Sequence, residues 1–569
     1  MNALLAGLSF FSAVFLSGAI FYKIFVSHRI HSTPTILLAS SFVFSLIFNF
    51  AFVYLVVFLS LYTQKILLLK LILEICIFAF LYRRDFLHQI QFNNNIRGGS
   101  AIIFAIGLFC SLIVLNMILN GIFKYSIFYT WDAVVSWNRW ASEWANGKFV
   151  LNDGGYPQIY PILLSMGYVL SSKISTYQSI GISIYFYFMF VAITFSAFAL
   201  FNKDSIKESL LGLCISLLTY FIFNILIDEF YIGYVDMPVA MMILISSICL
   251  LKIESKDNRF YIFLGALSAG LSTEIKQAGL FWCVFYIFGL FHYRYYHPLK
   301  VSKKDIFYSL LIIILLVSPW LAIGFYKKFI LHTNITNVSV VMGDIHEGRG
   351  YFERLVLAIK NYKNIFILFL FSIPCLFSNR FRFFALCGLI YYFLWAFTLS
   401  YDIRNLQGGL PPLIISLSAL IVYFPRKPLE GAFLFFYKRL PIASLSLCLV
   451  VLIVLFINSE KIPLKEYKQK ILLGGKEASR LVADAFDNYG AKMLVTDNQP
   501  IAYSPLFEKY YYPYGFNSIS EREFEEFAKE FKNKNGSFYV LLPTKNYATY
   551  MNLPHKKLGE SDYYTLMEY

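Results

Sequence analysis

The residues with the clearest potential for chemistry lie in a tryptophan-rich segment, Trp131–Gly147, directly after a long apolar run. This segment carries a carboxylate, Asp132, and two further charged residues, Arg139 and Glu143. A carboxylate held at the outer edge of a lipid bilayer is costly to place there. Its presence therefore predicts chemistry at a lipid–water boundary.

The tryptophans of the same segment admit a simpler interpretation. Trp137, Trp140 and Trp144 recur with the spacing of one helical face, so this face could lie in the headgroup layer as an aromatic belt. Asp132 would then act only as the N-terminal cap of an amphipathic helix. The spacing alone leaves both interpretations open.

A short acidic loop follows two apolar runs later. Asp228, Glu229 and Asp236 lie within nine residues of each other, between two apolar stretches. Such a cluster could bind a divalent cation or hold the proton of a nucleophile. In the simpler interpretation Asp236 caps the next helix, with Pro238 in its first turn. Three acids are more than capping needs.

A third polar element, Thr273–Gln277, separates two short apolar runs and contains Glu274, Lys276 and Gln277. Charged residues at membrane depth are expensive unless they are paired or face a polar cavity. Lys276 could hold a phosphate as a point charge. Alternatively, Glu274 and Lys276 pair with each other and tie the two helices together.

Two later loops carry cations. The loop 327–360 contains His346 and Arg349, with glycines that would let it close over a substrate, although most such loops are simply solvated. The loop 401–408 contains Arg404, which could take a phosphate bidentately. The alternative for Arg404 is a surface ion pair with Asp402.

The elements that must position these residues are membrane helices. The chain of 569 residues is 58% hydrophobic and 15% charged, which no soluble domain can bury. Apolar runs of about 18–25 residues match the bilayer core, and they predict an all-α polytopic membrane protein with about fourteen transmembrane helices. The predicted spans are 4–26, 34–60, 66–82, 101–123, 178–200, 209–227, 237–252, 261–274, 277–291, 306–326, 361–378, 383–400, 409–424 and 442–457.

The distribution of Lys and Arg predicts the orientation. The net charge of +15 comes largely from short loops between apolar runs, as in cytoplasmic loops, and does not indicate a nucleic-acid partner. Alternation then places the loops with the candidate residues outside. This requires that 157–172 lies in the interface without spanning. The eight cysteines lie in apolar segments and predict no disulfide framework.

The chain divides into three predicted regions. Residues 1–100 form N-terminal accessory transmembrane helices, and residues 101–458 form a catalytic transmembrane module with outer interfacial helices at 131–172. Residues 459–569 change to a charged, mixed composition with strand-like runs, which predicts a small C-terminal α/β domain outside the membrane.

Five motifs in order resemble the GT-C class of membrane glycosyltransferases, and most closely the branch of protein O-mannosyltransferases and the lipid A aminoarabinose transferase. They are the acidic Asp132 in the first large outer loop, YPQIYPILL (156–164), GYVDMP (233–238), TEIKQAGL (273–280) and RNLQGGLPP (404–412). The resemblance covers roughly residues 101–430 and part of the C-terminal tail. This chain departs from the family in three additional preceding helices, in Asn405 where a Tyr is usual, and in Glu274 and Ile275 within the Thr-Lys motif.

The resemblance implies inverting transfer of a sugar from a polyprenyl-phosphate donor to an envelope acceptor, which would be a lipid, glycan or protein. Asp132 would be the general base. The phosphate of the donor would be held by a second group of residues: Lys276, Arg404, Arg349, Tyr234 and Gln277. Residues that would shape the acceptor side or pocket are Arg139, Glu143, Tyr156 and His346. Asp228, Glu229 and Asp236 would line the donor pocket or hold a divalent cation; no other cofactor is expected.

The expected location is the cytoplasmic membrane of a bacterium, as a multi-pass protein whose active site and C-terminal domain face the periplasm or the outside. The alternative function is a transporter or flippase for a lipid-linked sugar. Transporters usually show internal repeats and charges near the bilayer midplane, whereas the polar clusters of this sequence gather on one predicted side.

Overall fold

The computed structural model describes most of the helical part of the chain and portions of its C-terminal region. The described residues are 2–27, 33–88, 106–108, 111–115, 117–118, 128, 130, 132–150, 156–170, 174–202, 205–227, 230–255, 257–330, 332, 350–398, 402–423, 477–478, 480–485, 487–490, 493–496, 509–511, 521–544 and 554–569.

Within these residues, five helices are long and apolar enough to cross a membrane: Gly7–Val26, Pro34–Phe58, Ile180–Ala199, Ile206–Leu226 and Lys303–Tyr326. The bent pair Tyr351–Asn361 and Lys363–Phe377 would raise the number to six if it forms one span. The protein is therefore built on a set of apolar helices of membrane-spanning length. The predicted number of fourteen crossings stays a prediction.

Further helices complete the bundle. Their bounds are Gln64–His88, Arg139–Ala145, Ile159–Leu170, Asp236–Leu251, Asn258–Ile275, Gly279–Tyr296, Arg382–Thr398 and Leu410–Tyr423. The helix Asp236–Leu251 is buried along its whole length, including both its apolar and its serine positions. A helix that is apolar all round belongs in the interior of a bundle. It packs against Asn258–Ile275 and Ile174–Ala199 and forms the centre of the molecule.

The N-terminal helices are joined by a buried polar cluster. Lys70 pairs with Glu74 at 2.6 Å, and Glu74 also accepts a hydrogen bond of 2.6 Å from Ser12. The Asn49 amide donates to the carbonyls of Ser12 and Ala13, each at 2.9 Å. Because each charge has an opposite partner and hydrogen bonds, the pair can lie in the bundle interior.

The C-terminal region contains a five-stranded sheet. Its strands are β1 (Met493–Thr496), β2 (Lys509–Tyr511), β3 (Tyr539–Pro543), β4 (Lys556–Glu560) and β5 (Tyr564–Glu568). Their order is β2-β1-β3-β5-β4; β1 is parallel to β2 and β3, and β5 is antiparallel to β3 and β4. The amphipathic helix Glu521–Asn535 contributes Phe524 to an apolar core with the sheet.

Most predicted spans coincide with helices, and three expectations need comment. The spans at 101–123 and 442–457 lie mostly or entirely outside the described residues. The loop predicted at 327–360 ends in a helix, Tyr351–Asn361, bent by 96° from the following one. The segment 157–172 forms the 12-residue helix Ile159–Leu170, about 18 Å long, which is too short to span. This helix is buried among protein side chains and does not lie on the surface.

Candidate functional site

The loop before the central helix is shaped by a glycine. Gly233 has φ +92°, and a Cβ there would lie 2.6 Å from the Phe128 ring and 2.8 Å from Cβ of Ala133. Only glycine fits this conformation and this space. The tight turn sets Tyr234 beside the chain entering Ala133–Asn138, so that the Asp132 backbone N–H donates to the Tyr234 hydroxyl at 3.3 Å.

The same turn leads into the helix that carries Asp236. Val235 is the N-terminal cap and Asp236 the first helical residue, so the predicted capping role of Asp236 is wrong. Its carboxylate instead accepts a hydrogen bond from the Lys276 ammonium at 2.6 Å. Asp236 is almost fully buried, with 5% of its side chain exposed, so this ion pair is shielded from solvent.

A second tight turn delivers Lys276. The helix Asn258–Ile275 ends one residue before it, and the Gly279 N–H donates to the Lys276 carbonyl at 2.9 Å. A Cβ on Gly279 would lie 2.3 Å from the backbone carbon of Ser272, so the next helix can start this close only with glycine. Lys276 also donates to the side-chain oxygen of Asn405 at 3.3 Å.

The last cation is held by a short 3₁₀ turn, Ile403–Leu406. The Arg404 guanidinium donates to Asp402 through Nε at 2.7 Å and through Nη2, and it donates to Asp132 through Nη1 at 3.2 Å. Its Cζ lies 4.3 Å from the centre of the Tyr234 ring, a cation–π contact. The indole of Trp395 fixes the turn by donating to the Asp402 carbonyl at 3.0 Å.

These contacts join residues from four separate parts of the chain into one network at one end of the helix bundle. We call it the acid–base cluster; its members are Asp132, Tyr234, Asp236, Lys276, Asp402, Arg404 and Asn405. The structure therefore brings together Asp132, Asp236, Lys276 and Arg404, the four residues on which the sequence interpretation depends.

Electrostatics distinguish Asp132 from the other members. Burial among protein atoms raises the pKa of Asp132 above its ordinary value, and this outweighs the opposite effect of the Arg404 cation. Burial alone would lower the pKa of Lys276, but the Asp236 carboxylate raises it overall. With 44% of its side chain exposed, Asp132 is also the most accessible acid of the cluster. It is thus a carboxylate with increased basicity that a substrate can reach.

The geometry decides two of the open alternatives. Glu274 and Lys276 do not form a pair: Lys276 binds Asp236, whereas Glu274 accepts from the Trp320 backbone N–H at 3.3 Å. Asp402 and Arg404 do pair, but only 16% and 20% of their side chains are exposed, so this is not a surface pair.

The aromatic-belt interpretation of the tryptophans is wrong. Trp137, Trp140 and Trp144 are all buried by protein. The Trp144 indole donates to Gln158 at 3.0 Å, and both other rings contact Tyr156. Helical periodicity identifies a face that leaves water, but it cannot tell lipid from protein as the covering medium.

The remaining predicted residues are placed as follows. Arg139 and Glu143 form an ion pair of 3.1 Å one turn apart on their helix, at its partly exposed side. Tyr156 is partly exposed beside Trp137 and Trp140, and it is close enough to Lys276 to raise the pKa of the lysine. The side-chain oxygen of Gln277 is buried without a hydrogen-bond partner among the described residues. Asp228, Glu229, His346 and Arg349 lie outside the described residues.

Two members of the cluster were not among the predicted site residues. Asp402 precedes Arg404 by two positions, and this spacing could have identified it as the partner that fixes the guanidinium. Asn405 was noted only as a departure from the family pattern, yet it accepts a hydrogen bond from Lys276. A residue that differs from the family motif can thus still belong to the site.

The described part of the chain contains no group of three His, Cys, Asp or Glu side chains arranged to hold a metal ion. Of the three acids predicted as possible metal ligands, Asp236 is the one described, and its carboxylate is bound to Lys276. The partner of Asp236 is therefore an ammonium group. The prediction that Asp228 and Glu229 bind a metal ion is untested.

A scan against models of protein families finds no match for this sequence, and no curated protein matches it. Solved structures do resemble its fold. The crystal structure of ArnT from Cupriavidus metallidurans bound to undecaprenyl phosphate matches with a TM-score of 0.50. The match covers 82% of this chain and 97% of the ArnT chain, at 12% sequence identity. The chain therefore has a GT-C-like fold.

Proposed function

We propose that the protein is a membrane glycosyltransferase that moves a sugar from a polyprenyl-phosphate donor to an envelope acceptor. The observation that carries this proposal is the acid–base cluster, which sets an accessible carboxylate beside two cations at one end of the bundle. The ArnT-like fold supports it, since the matched ArnT structure is one with undecaprenyl phosphate bound.

In the proposed reaction, Asp132 takes the proton from an acceptor hydroxyl, and the acceptor oxygen attacks the anomeric carbon of the sugar. The bond between that carbon and the phosphate oxygen breaks, and the electron pair leaves with the lipid phosphate. Attack from the face opposite the phosphate inverts the anomeric configuration. Lys276 and Arg404 stabilise the negative charge that develops on the leaving phosphate.

The donor capacity of both cations supports this assignment. An ammonium has three N–H groups, and Lys276 directs hydrogen bonds to Asp236 and Asn405. A guanidinium has five, and Arg404 directs three to Asp402 and Asp132. Each cation therefore retains donor capacity for a phosphate oxygen, while its carboxylate partners hold it in place.

Buried amides near the cluster support a sugar as the ligand. Both polar atoms of Gln407 and the side-chain oxygen of Gln277 are buried without partners among the described residues. Buried polar groups normally have hydrogen bonds, so unpaired ones beside a candidate site fit a ligand rich in hydroxyl groups. We assign Tyr156, Arg139 and Glu143 to the surrounding pocket, and His346 and Arg349 to a loop over it.

The same proposal includes the organisation of the chain. Residues 1–100 would be accessory helices, 101–458 the catalytic module and 459–569 a domain on the side of the acid–base cluster. That side would be the periplasmic or outer face of a bacterial cytoplasmic membrane, where lipid-linked sugars are used. The specific sugar and acceptor would be set by the pocket around the cluster.

The experiment is a transfer assay with the purified protein in detergent. The donor is a radiolabelled polyprenyl-phosphate hexose, and the acceptors are the extracted lipids, glycans and envelope proteins of a strain lacking the gene. We expect a new covalently labelled product with the natural protein and none with Asp132→Asn. If the protein moves the donor across reconstituted vesicles and forms no covalent product in detergent, it is a flippase and the proposal fails.

A further inference from the structure

A cavity of about 310 Å³ lies beside the acid–base cluster and serves no step of the proposed reaction. It is formed between three helices, Pro34–Phe58, Asn258–Ile275 and Lys303–Phe329, together with the start of Ile159–Leu170. Its lining is almost wholly apolar: Ile47, Phe50, Ala51, Tyr54, Ile159, Leu271, Leu315, Leu316, Pro319 and one charged residue, Glu274. This volume lies at the lower end of the range of small-molecule sites.

The cavity opens on the outside of the bundle. Leu315 on its wall is 61% exposed, and the helix Lys303–Phe329 carries many large exposed apolar side chains. On a protein of this composition such a surface faces lipid. A molecule that enters from this side therefore comes from the bilayer.

Glu274 makes this cavity different from an ordinary gap between helices. The residue is 2% exposed, and its Oε1 accepts the Trp320 backbone N–H at 3.3 Å. No hydrogen bond to its Oε2 occurs from any residue that the structure describes. Buried carboxyl groups need partners, and ionisable groups at membrane depth are by default functional candidates.

The opposite wall contains a proline. Pro319 lies inside the helix Lys303–Phe329 and has no backbone N–H for the Leu315 carbonyl. The Ser318 hydroxyl replaces it by donating to the Leu315 carbonyl at 2.9 Å. The Leu315 carbonyl is thereby satisfied, and the polar side chains that the cavity lining offers to a ligand are the carboxyl group of Glu274 and the hydroxyl of Tyr54.

We propose that this cavity binds a lipid that carries a hydroxyl group just below headgroup depth. Its alkyl chain contacts the apolar wall, and its hydroxyl donates a hydrogen bond to Glu274. An unsubstituted hydrocarbon chain would leave the carboxyl group unpartnered, and a ligand of high charge would lose its hydration against an apolar lining. The depth follows from the chain, since Glu274 precedes Lys276 of the acid–base cluster by two residues.

The site also gives a role to an N-terminal helix. Ile47, Phe50, Ala51 and Tyr54 belong to the helix Pro34–Phe58. This helix therefore supplies one wall of the cavity. The proposal goes beyond the transferase function and does not depend on it.

The experiment uses the full-length protein in lipid nanodiscs with two photoactivatable probes, a diazirine-bearing hexadecan-1-ol and the matching diazirine-bearing hexadecane. Cross-linked residues are mapped by mass spectrometry. In the natural protein, we expect the alcohol to label the cavity residues about fivefold more than the hydrocarbon, as one hydrogen bond would give. Equal labelling by both probes, or labelling that avoids the cavity, would overturn the proposal.

Variants test the residue itself. Glu274→Leu should reduce alcohol labelling to the hydrocarbon level, whereas Glu274→Gln, which keeps an acceptor oxygen, should retain the preference. Glu254→Leu, a control in which the replaced carboxylate lies outside the cavity, should change nothing. Leu271→Trp fills the cavity and should reduce labelling by both probes, which keeps the test decisive if Glu274→Leu fails to fold. In the Asp132→Asn variant, both probes should label the cavity as they do in the natural protein, whether or not sugar transfer is detected. This result separates the two proposals.

Discussion

The two ends of the helix bundle carry ionic clusters of opposite character. Helices Asp236–Leu251 and Leu410–Tyr423 begin next to the acid–base cluster and end near a second one, which we call the closing cluster. The closing cluster consists of Glu208, Arg380 and Tyr423: Arg380 donates to both carboxylate oxygens of Glu208, and the Tyr423 hydroxyl donates to Glu208 as well.

The two clusters differ in whether their acids and bases are matched one to one. In the closing cluster, one acid meets one base in a two-pronged pair, and 22–26% of each charged side chain is exposed. In the acid–base cluster, three carboxylates share two cations, and one of the carboxylates, Asp132, is 44% exposed. A saturated pair stabilises the fold, whereas an accessible carboxylate with a raised pKa is suited to a reaction.

The largest expected difference lies between the two acids. Asp132→Asn should lower the transfer rate by about 10²–10⁴-fold, the usual contribution of a general base, with little change in thermal stability. Glu208→Gln should do the reverse, with a normal rate per folded molecule and a lower thermal midpoint in detergent. Rate assays and thermal melts on both variants check this; a rate loss for Glu208→Gln would erase the distinction.

The next effect concerns the buried pair of the acid–base cluster. Lys276→Met leaves Asp236 buried without its partner, which should destabilise the protein by about 3–5 kcal/mol and weaken donor binding. The double variant Asp236→Leu, Lys276→Met should recover stability but not donor binding. Thermal melts and donor titrations of the single and double variants measure both quantities. Recovery of donor binding in the double variant would exclude Lys276 from phosphate contact.

A smaller effect is expected at the closing cluster. Arg380→Lys keeps the positive charge but loses the two-pronged geometry, so the free energy of unfolding should fall by about 1.5–3 kcal/mol. The Michaelis constant for the donor should not change. Arg404→Lys provides the matched comparison, because there the same substitution should raise that constant. Identical behaviour of the two variants would show that the clusters do not differ in function.

The smallest effect is a shift in pH dependence. In the proposed reaction the ionised form of Asp132 takes the proton, so the rate should rise with pH through a pKa above the ordinary value of about 4. Arg404 lowers that pKa, so Arg404→Gln should move the acidic limb to higher pH. A pH profile of kcat/KM for both forms measures the shift. An unchanged acidic limb would mean that Arg404 and Asp132 are not in contact under the conditions of the assay.

The sequence was sufficient to predict that the candidate site residues come together, but not to predict which of them form ion pairs. Alternation of apolar runs determines which loops share a side, so Asp132, Asp236, Lys276 and Arg404 were expected together. Pairing depends on side-chain geometry, which residue spacing does not reveal. Lys276 forms its ion pair with Asp236, which is 40 residues away in the sequence, and not with the nearby Glu274. The burial of the tryptophans by protein was not predicted, because the sequence pattern of an apolar helical face is the same whether lipid or protein covers it.

The contact between Arg404 and Asp132 joins residues 272 positions apart. At a synthesis rate of about 5–20 residues per second, Arg404 is added roughly 14–54 s after Asp132. A chain that ends before Arg404 therefore lacks the complete acid–base cluster, and the cluster can form only after the intervening helices have been synthesised. Arg404 is the last of the charged residues of the cluster to be synthesised.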